Sequence, residues 1–508
     1  MPAVLIGATT AGGWLLVLAI ALPFAGMLLG IALGGRGAER AAFAVLAAGI
    51  AVAITIAVRV WAAGMPIVYL LGDWPPPLGV AIRADGPAAA MLVTTSVLAA
   101  AIGLYARAPF ATPPEMAEAR APFAFWVLLM ALVGSLNTAF LGEDLFNLYV
   151  ALELLTFAAV PLVCLDGRRE TLAAALRYLL FALLGSILYL LGAALIYGQY
   201  GTLDIAELMR RIQPTDRAAW LPVVLMTVGL LAKTALFPLH LWLPPAHAGA
   251  PPAASALLSG LVVKAPFVLT LRLWFDVMGQ VPAGYGPTVL GALGAGAILL
   301  GSAVALRQER LKLLIAYSTV AQIGYLFLVF PLASAPGTPD LWHAHAWSGG
   351  LLQAISHAFA KAAMFLAAGL IAEALGTDKL AALRGAAGTV PVTVAALAIA
   401  SLSLLGLPAS GGFVAKWLLI SAALRTGEWW WGVVMLAGGL LAGGYLYRVL
   451  TPAFIGMGDP PVARVRIARH RELVPLGLAV CALLLGLVPI GLEALLTIGQ
   501  PALQAALR

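Results

Sequence analysis

Apolar runs of about twenty residues recur along the chain, separated by short polar stretches rich in arginine, glycine and proline. A helix needs about 20 apolar residues to cross hydrocarbon. The pattern predicts about fourteen crossings, near 14–33, 41–62, 87–106, 122–141, 144–165, 171–198, 219–238, 251–276, 287–307, 311–332, 347–375, 391–424, 430–454 and 473–498. The fold class this predicts is an all-α polytopic membrane protein. An even number of crossings puts both termini on one side. The first run is long for the apolar core of a secretory leader, and no basic residue precedes it, so it is expected to remain as a first helix.

The polar stretches set the orientation. Loops after odd-numbered spans carry Arg36, Arg40, Arg107, Arg120, Arg168, Arg169, Arg307, Arg310, Lys379, Arg384, Arg464, Arg466, Arg469 and Arg471. Loops after even-numbered spans carry mainly Arg83, Arg210, Arg211, Arg217 and Arg425. Basic residues favour the cytoplasmic side. Both termini are therefore expected on the periplasmic or exterior face of a bacterial plasma membrane, with the stretch at 204–217 as an exception.

Two spans contain helix-breaking segments, "FPLHLWLPPAHAGAPP" at 237–252 and "LGLPASGGF" at 405–413. Proline removes a backbone donor, and unwound backbone survives at membrane depth only inside protein or beside a wet cavity. Paired interruptions five spans apart are the mark of two inverted repeats. Spans four to eight and nine to thirteen would be the two halves. The expected division is 1–120 for the first three helices, 121–276 and 277–455 for the repeats, and 456–508 for a C-terminal loop and last helix.

Composition supports this assignment and excludes other chemistries. The 508 residues are 62% hydrophobic and 10% charged, against about 25% charged in soluble proteins. Mean hydropathy is +1.01. The net charge of +7 is spread over loops without interleaved aromatics, so no nucleic-acid partner is expected. Cys164 and Cys481 lie far apart, with no CxxC, haem or iron–sulfur spacing. No phosphate-binding G-x-x-x-x-G-K-[ST] loop or nucleophile elbow occurs. No cofactor and no metal is expected; His343 and His345, read as a loop pair, are a weak metal signal. The segments "GALGAGA" and "AGGLLAGG" read as close helix packing.

Lysine use separates candidate chemistry from topology. The chain has six lysines, and four fall inside apolar spans: Lys233, Lys264, Lys361 and Lys416. A lysine at mid-span costs roughly 2.5–3.5 kcal/mol on insertion scales. Unlike arginine, lysine can release its proton when desolvated. Glu153 is the one carboxylate deep within a predicted span and is expected to pair with Lys233. One glutamate cannot neutralise four amines, so the others need neutrality, water or polar neighbours. His357 lies four residues before Lys361, on the same helix face. Buried groups of this kind can pass a proton, each protonation biasing its neighbour. Lys312 and His247 are secondary candidates for the same relay. Glu143 and Asp144 read as residues favoured at a helix start, and Asp85 as a cap.

Five segments carry a family resemblance: "ALRYLLFALLGSILYLLGAALIYGQYGTL", "AKTALFPLHLWLPPAHAGAPPAASALLSGLVVKA", "RLKLLIAYSTVAQIGY", "HAFAKAAMFLAAG" and "SLLGLPASGGFVAKW". Over about residues 80 to 455 the chain resembles the antiporter-like subunits shared by respiratory complex I and Mrp-type cation/proton antiporters. It looks most like the Mrp D type, then the complex I N type. The resemblance implies fourteen helices in two inverted five-helix repeats with helices seven and twelve broken. It implies a Glu153–Lys233 pair and a relay through Lys264, His357, Lys361 and Lys416. Ser259 stands where the L type has a histidine, Lys416 argues against the M type, and the early end of the chain argues against an L-type lateral helix.

The function these features imply is proton translocation within a multi-subunit membrane complex. It would be coupled to sodium or potassium antiport, or to quinone reduction, hydrogenase or inorganic-carbon uptake partners. The last set would make the chain part of a translocating enzyme without a redox site of its own. Two other classes remain open, a stand-alone carrier for a small organic solute and a purely structural membrane subunit.

Overall fold

The computed structural model describes residues 8–279, 284–335, 339–455, 463–487 and 491–506. The long helices are α1 (Trp14–Leu33), α2 (Gly35–Ala63), α3 (Gly86–Ala106), α4 (Arg120–Leu141), α5 (Leu145–Val163), α6 (Arg169–Tyr200), α7 (Trp220–Thr234), α8 (Pro252–Val277), α9 (Gly286–Leu306), α10 (Leu311–Ala333), α11 (Asp340–Leu375), α12 (Pro391–Leu405), α13 (Gly411–Arg425), α14 (Trp429–Phe454) and α15 (Arg469–Leu487). Among the described residues, 13 helices are long and apolar enough to cross a membrane. α12 and α13, of 15 residues each, are the halves of one further, interrupted crossing. The chain is a multi-pass membrane protein.

Burial sorts these helices into two shells. The apolar windows of α8, α10 and α11 are 100%, 89% and 89% buried, against 33% for α1, α2 and α14 and 28% for α15. The inner three carry Lys264 and Lys361, two of the four predicted intramembrane lysines. Lipid offers no hydrophobic drive between helices, so contact depends on close backbone approach. A Cβ on Gly229 of α7 would lie 2.3 Å from the Gly185 carbonyl oxygen of α6. A Cβ on Gly324 of α10 would lie 2.3 Å from that of Gly294 in α9. The packing expected of "GALGAGA" is thus present. In "AGGLLAGG" Gly438 and Gly444 are closely approached from the side, their Cβ positions lying 2.2 Å from Ile298 and 3.1 Å from Leu306.

Between α2 and α3 an antiparallel hairpin pairs β1 (Ile67–Leu70) with β2 (Ala81–Ala84), Val68 opposite Arg83. Asp85 then caps α3, accepting from the Ala88 amide at 2.9 Å, as expected.

Departures from the predicted elements include three boundaries and the interior of α8. α7 ends at Thr234 rather than near 238, so the first break starts two residues after Lys233 instead of four. The cause is Ala235, which takes a left-handed conformation at φ 59 and closes the helix before the prolines are reached. α11 begins at Asp340, seven residues before its apolar run, so His343 and His345 lie in a helix and not in a loop. The expected last span at 473–498 is a helix to Leu487 and a separate short helix Leu492–Leu496, with 488–490 outside the described residues. α8 contains two π-helical stretches, Leu258–Val262 and Arg272–Val277, which no hydropathy pattern announces.

Candidate functional site

Three of the intramembrane lysines sit where a helix has been unwound. In α7, Lys233 is in the last turn before the left-handed Ala235. In α8, Lys264 follows the π turn that displaces the Ser259 carbonyl from its regular partner. In α13, Lys416 follows the break that frees the carbonyls of Leu404 and Leu405 at the end of α12. Broken and π-widened helices leave backbone oxygens without an intrahelical donor, and such oxygens must be satisfied inside the bundle.

Lys233 Nζ lies 3.1 Å from Glu153 Oε1, 2.9 Å from Thr156 Oγ1 and 3.5 Å from the Leu152 carbonyl oxygen. Ser186 Oγ donates to the same carboxylate. The predicted pair is therefore formed, between α5 and α7, with α6 contributing the hydroxyl. Beside it is a cavity of ≈ 10 Å³ lined by Thr156, Tyr178, Lys233, Val262 and Pro266, about the size that holds one water. Val262 and Pro266 come from α8, so this space lies between Lys233 and the helix that carries Lys264.

Lys264 Nζ donates to the Ser259 carbonyl. Ser259 Oγ is 3.0 Å from Thr319 Oγ1, which bonds the Ile315 carbonyl at 3.0 Å. Lys361 Nζ reaches that same carbonyl at 2.9 Å and also donates to Ser318 Oγ. Polar groups of α8, α10 and α11 thus meet here, with the two amines held on the Ser259 and Ile315 carbonyls and the Ser259 and Thr319 hydroxyls between them. Beyond them, Gln353 donates to Gln322 at 2.8 Å, and Gln322 contacts the Leu404 carbonyl at 3.4 Å. Lys416 Nζ donates to that carbonyl at 2.6 Å and to Leu405 at 3.3 Å, and lies 4.4 Å from the centre of the Tyr325 ring. The buried Tyr445 hydroxyl stands near both Ser318 and Gln322, without a hydrogen bond of normal geometry to either.

Lys264, Lys361 and Lys416 have no ion pair among the described residues. Their neighbours are carbonyls, hydroxyls and one aromatic face. His357 is 1% exposed and neither ring nitrogen has a partner. It stands within electrostatic reach of all three of those amines. An orphaned, buried imidazole among amines has hydrogen-bonding capacity that local packing does not use.

The secondary candidates lie at the first break. Lys312 Nζ donates to the Ala250 carbonyl at 2.8 Å, at the end of the first break. His247 is fully buried, its ring stacked on Phe365 at 4.6 Å, and both its nitrogens lack partners. His343 contacts the Ala335 carbonyl at 3.0 Å, whereas His345 packs on Trp342, so the two imidazoles do not converge.

Sequence reasoning missed a second charged cluster. Glu143 accepts from Arg83 at 3.1 Å and from Arg272, and Asp276 lies 3.4 Å from Arg83 and 3.6 Å from Arg272. Arg83, Glu143, Arg272 and Asp276 are all buried. Glu143 therefore does not serve the α5 helix start as expected, while Asp144 does, accepting from the Phe146 and Asn147 amides at 2.9 Å. Burial pushes the Glu143 carboxyl up, but the Arg272 and Arg83 guanidiniums outweigh it and hold the group below the usual carboxylate range. Nearby Asp204 has no guanidinium, and burial pushes it up to about 6. The signal available was the isolated Arg83 in a loop otherwise poor in basic residues.

The fold and site define a multi-pass membrane protein with protonatable side chains lined up through the centre of its helix bundle. Residues 142–442 match the family described as NADH:quinone oxidoreductase/Mrp antiporter, TM. The N-type NADH-quinone oxidoreductase chain of Desulforudis audaxviator is 34% identical, covering 88% of this chain and 87% of that protein. The D-type Na(+)/H(+) antiporter chain of Alkalihalophilus pseudofirmus is 30% identical, covering 80% and 79%. A chain in the structure of the Mrp complex from Dietzia superposes with a TM-score of 0.86 at 27% identity, covering 98% and 100%. The chain belongs to the NADH:quinone oxidoreductase/Mrp antiporter membrane-subunit family.

Proposed function

We propose that this protein moves protons through the bundle as one subunit of a multi-subunit membrane complex, along Glu153, Lys233, Lys264, His357, Lys361 and Lys416. The observation that carries this reading is the run of buried polar groups between Lys264 and Lys361, in which the Ser259 and Thr319 hydroxyls stand between the carbonyls that hold the two amines. It joins amines on two helices through a third, with neither a lipid-facing gap nor a counter-ion that would freeze the charge. A static ion pair accounts for Glu153 and Lys233 alone. Lys312 and His247 supply the exit toward the arginine-rich face.

The coupled movement we infer is that of a monovalent cation, sodium or potassium, against protons, as the name of the D-type relative suggests. The second reading, proton pumping driven by a quinone reductase partner, is favoured by the N-type relative at 34% identity over most of the chain. Both readings use the same path. The arginine-rich loops support an orientation with both termini toward the exterior of a bacterial plasma membrane.

Replacing Lys233 with alanine in the assembled complex tests the path. The expected result is loss of proton movement in energised vesicles with the partner subunits still bound. Full transport by that variant would overturn the proposal. Transport lost only through failed assembly, restored per complex when assembly is rescued, would make the role of the chain structural. Solute uptake by the chain alone in liposomes would make it a carrier.

A further inference from the structure

We propose that the carbonyl end of α12 binds one dehydrated alkali cation, which takes the place of the Lys416 ammonium; the inference rests on the cation-exchange reading above and gives its cargo a site. α12 stops at Leu405, with Gly406 in a left-handed conformation. In a continued helix the Leu404 carbonyl would accept from residue 408, which is Pro408 and has no N–H. The Leu405 carbonyl would accept from Ala409, which is itself left-handed at φ 68. Neither oxygen receives a backbone donor across the break among the described residues. Both stand at the negative end of a helix dipole. The Lys416 ammonium lies 2.6 Å from the first and 3.3 Å from the second, with the Tyr325 ring centre 4.4 Å away. A positive charge is therefore already held here by neutral oxygens and an aromatic face, with no carboxylate in an ion pair with it among the described residues.

A second set of oxygens adjoins the first. Gln322 reaches the same Leu404 carbonyl at 3.4 Å and accepts from Gln353 at 2.8 Å. The two glutamines are 1% and 2% exposed, and Gln353 Oε1 has no partner. The Tyr445 hydroxyl, buried near Gln322, has none either. Buried oxygens without partners call for an occupant. An amide exchanges its oxygen and nitrogen by a half-turn. With both amides turned, Gln322 Oε1 faces the Leu404 carbonyl while Gln322 Nε2 donates to Gln353 Oε1. Two carbonyl oxygens face each other only with a cation between them. Unwound carbonyls and half-helix C-terminal ends hold monovalent ions in this way, whereas a divalent ion calls for carboxylates.

Charge fixes the exchange. An ammonium and an alkali ion each carry one positive charge, and two such charges at contact repel strongly in a buried cage. Cation entry therefore breaks one N–H bond of Lys416, and the buried charge stays the same. The proton leaves toward His357 of α11, whose ring nitrogens have no partner and which stands within electrostatic reach of Lys416. The other groups around Lys416 offer less. α10 presents the Tyr325 ring, and α14 presents Tyr445 by way of Gln322. α12 carries no titratable side chain. On α15, Glu472 is held by Thr393 at 2.7 Å, and Cys481 is a free thiol.

The site is read at equilibrium, so its test stands apart from transport. The assembled complex in nanodiscs, with no gradient, is equilibrated with radioactive sodium, or with rubidium in place of potassium, and bound ion per complex is counted. Lys416→Met frees the carbonyls of the competing charge and should bind one ion several-fold more tightly than wild type. Lys416→Arg keeps a charge that cannot leave and should bind one ion fewer. Gln322→Leu should weaken binding roughly tenfold, the loss expected when one polar contact to a charge is removed. Loss of the ion in Lys416→Met overturns the proposal, as does equal binding by wild type, Lys416→Arg and Gln322→Leu. Should the lysine variants fail to assemble, wild type and Gln322→Leu decide: ion uptake by wild type should release one proton for each ion, and uptake without release overturns the proposal as well. A complex that moves protons through Lys233 and binds no ion here loses this site and keeps the path. Ion binding here in a complex that moves no protons does the reverse.

Discussion

Ser259 and Thr319 place their hydroxyls 3.0 Å apart and so join α8 to α10, the only point at which the file of polar groups crosses between those helices by side chains alone among the described residues. Ser259 offers its carbonyl to Lys264, and Thr319 shares the Ile315 carbonyl with Lys361. The two hydroxyls can each donate and accept, which is what a proton-passing link requires. Thr319→Val keeps the shape and removes the link. It should slow proton movement by roughly tenfold, equivalent to about 1.4 kcal/mol on the barrier, and cost about 1 kcal/mol of stability. Thr319→Ser should restore the rate. A valine variant with wild-type proton flux in vesicles would remove Ser259 and Thr319 from the path.

Gly229 sets how near α7 comes to α6. Alanine there would bring its Cβ within 2.3 Å of the Gly185 carbonyl oxygen and 3.0 Å of the Tyr189 amide nitrogen, both backbone atoms that cannot move aside alone. Lys233 is one turn further along α7, and Ser186 on α6 bonds Glu153. Gly229→Ala is therefore expected to lower thermal stability in detergent by the roughly 1–3 kcal/mol typical of overpacking. Transport per folded complex should fall as well. Gly198→Ala, on α6 where a Cβ meets nothing within 4 Å, is the control that should change neither.

How much of this was legible in the sequence depends on what kind of signal each residue gives. Crossings were legible because hydropathy over twenty residues is a sum, insensitive to any single position. The Glu153–Lys233 pair was legible in two parts: the single buried carboxylate had to take one of the amines, and the family resemblance implied that it was Lys233. The first break was misplaced because Ala235, not Pro238, ends α7, and alanine is not a breaker by type; only the surrounding packing holds it at φ 59. The role of Lys416 as a clamp on the Leu404 and Leu405 carbonyls was hidden because backbone oxygens have no letter in the sequence. The Arg83–Glu143–Arg272–Asp276 cluster was hidden for a different reason. Its members lie up to 193 residues apart, and each alone reads as an interfacial charge.

That cluster predicts an asymmetry in mutational cost. Arg272→Met leaves Glu143 buried at 1% exposure beside a single remaining guanidinium. Removing one partner of a buried ion pair costs about 3–5 kcal/mol. The variant should assemble poorly, as measured by the yield of intact complex. Adding Glu143→Gln should recover part of the yield, since the orphaned charge goes with it. If the double variant is worse than either single change by their full sum, the charges act independently and the cluster is not a unit.

Gly406 takes φ +79 at the second break, and a Cβ there would lie 2.8 Å from Lys416 Cδ. Gly406→Ala forces a left-handed alanine, at about 1–2 kcal/mol, and presses on the lysine stem. The amine would be displaced from the Leu404 carbonyl and from the Tyr325 ring. Proton flux should drop several-fold. In a Lys416→Ala background the same glycine change should add little further loss. Additive losses would show that Gly406 acts on the break and not through Lys416.

Asp204 links pH to the order of the segment after α6. Its Oδ1 accepts from the Glu207 amide at 2.9 Å, and its Oδ2 is buried without a partner. Burial is the main cause that moves its carboxyl from 3.8 to about 6, opposed by the Glu207 amide and reinforced by Glu143, Glu207 and Asp144. A folded-state value above the unfolded one means the folded form binds the proton more tightly. The stabilising contribution is therefore complete below about pH 4 and is lost as pH rises through about 6. The loss is at most about 3 kcal/mol, two units at 1.36 kcal/mol each. Hydrogen exchange of the short helix Ile205–Arg211 should accordingly be slower at pH 5 than at pH 7.5, after correction for intrinsic rates. Asp204→Asn should abolish that difference and protect the segment at pH 7.5. Unchanged pH dependence in the asparagine variant would assign the effect to a different group.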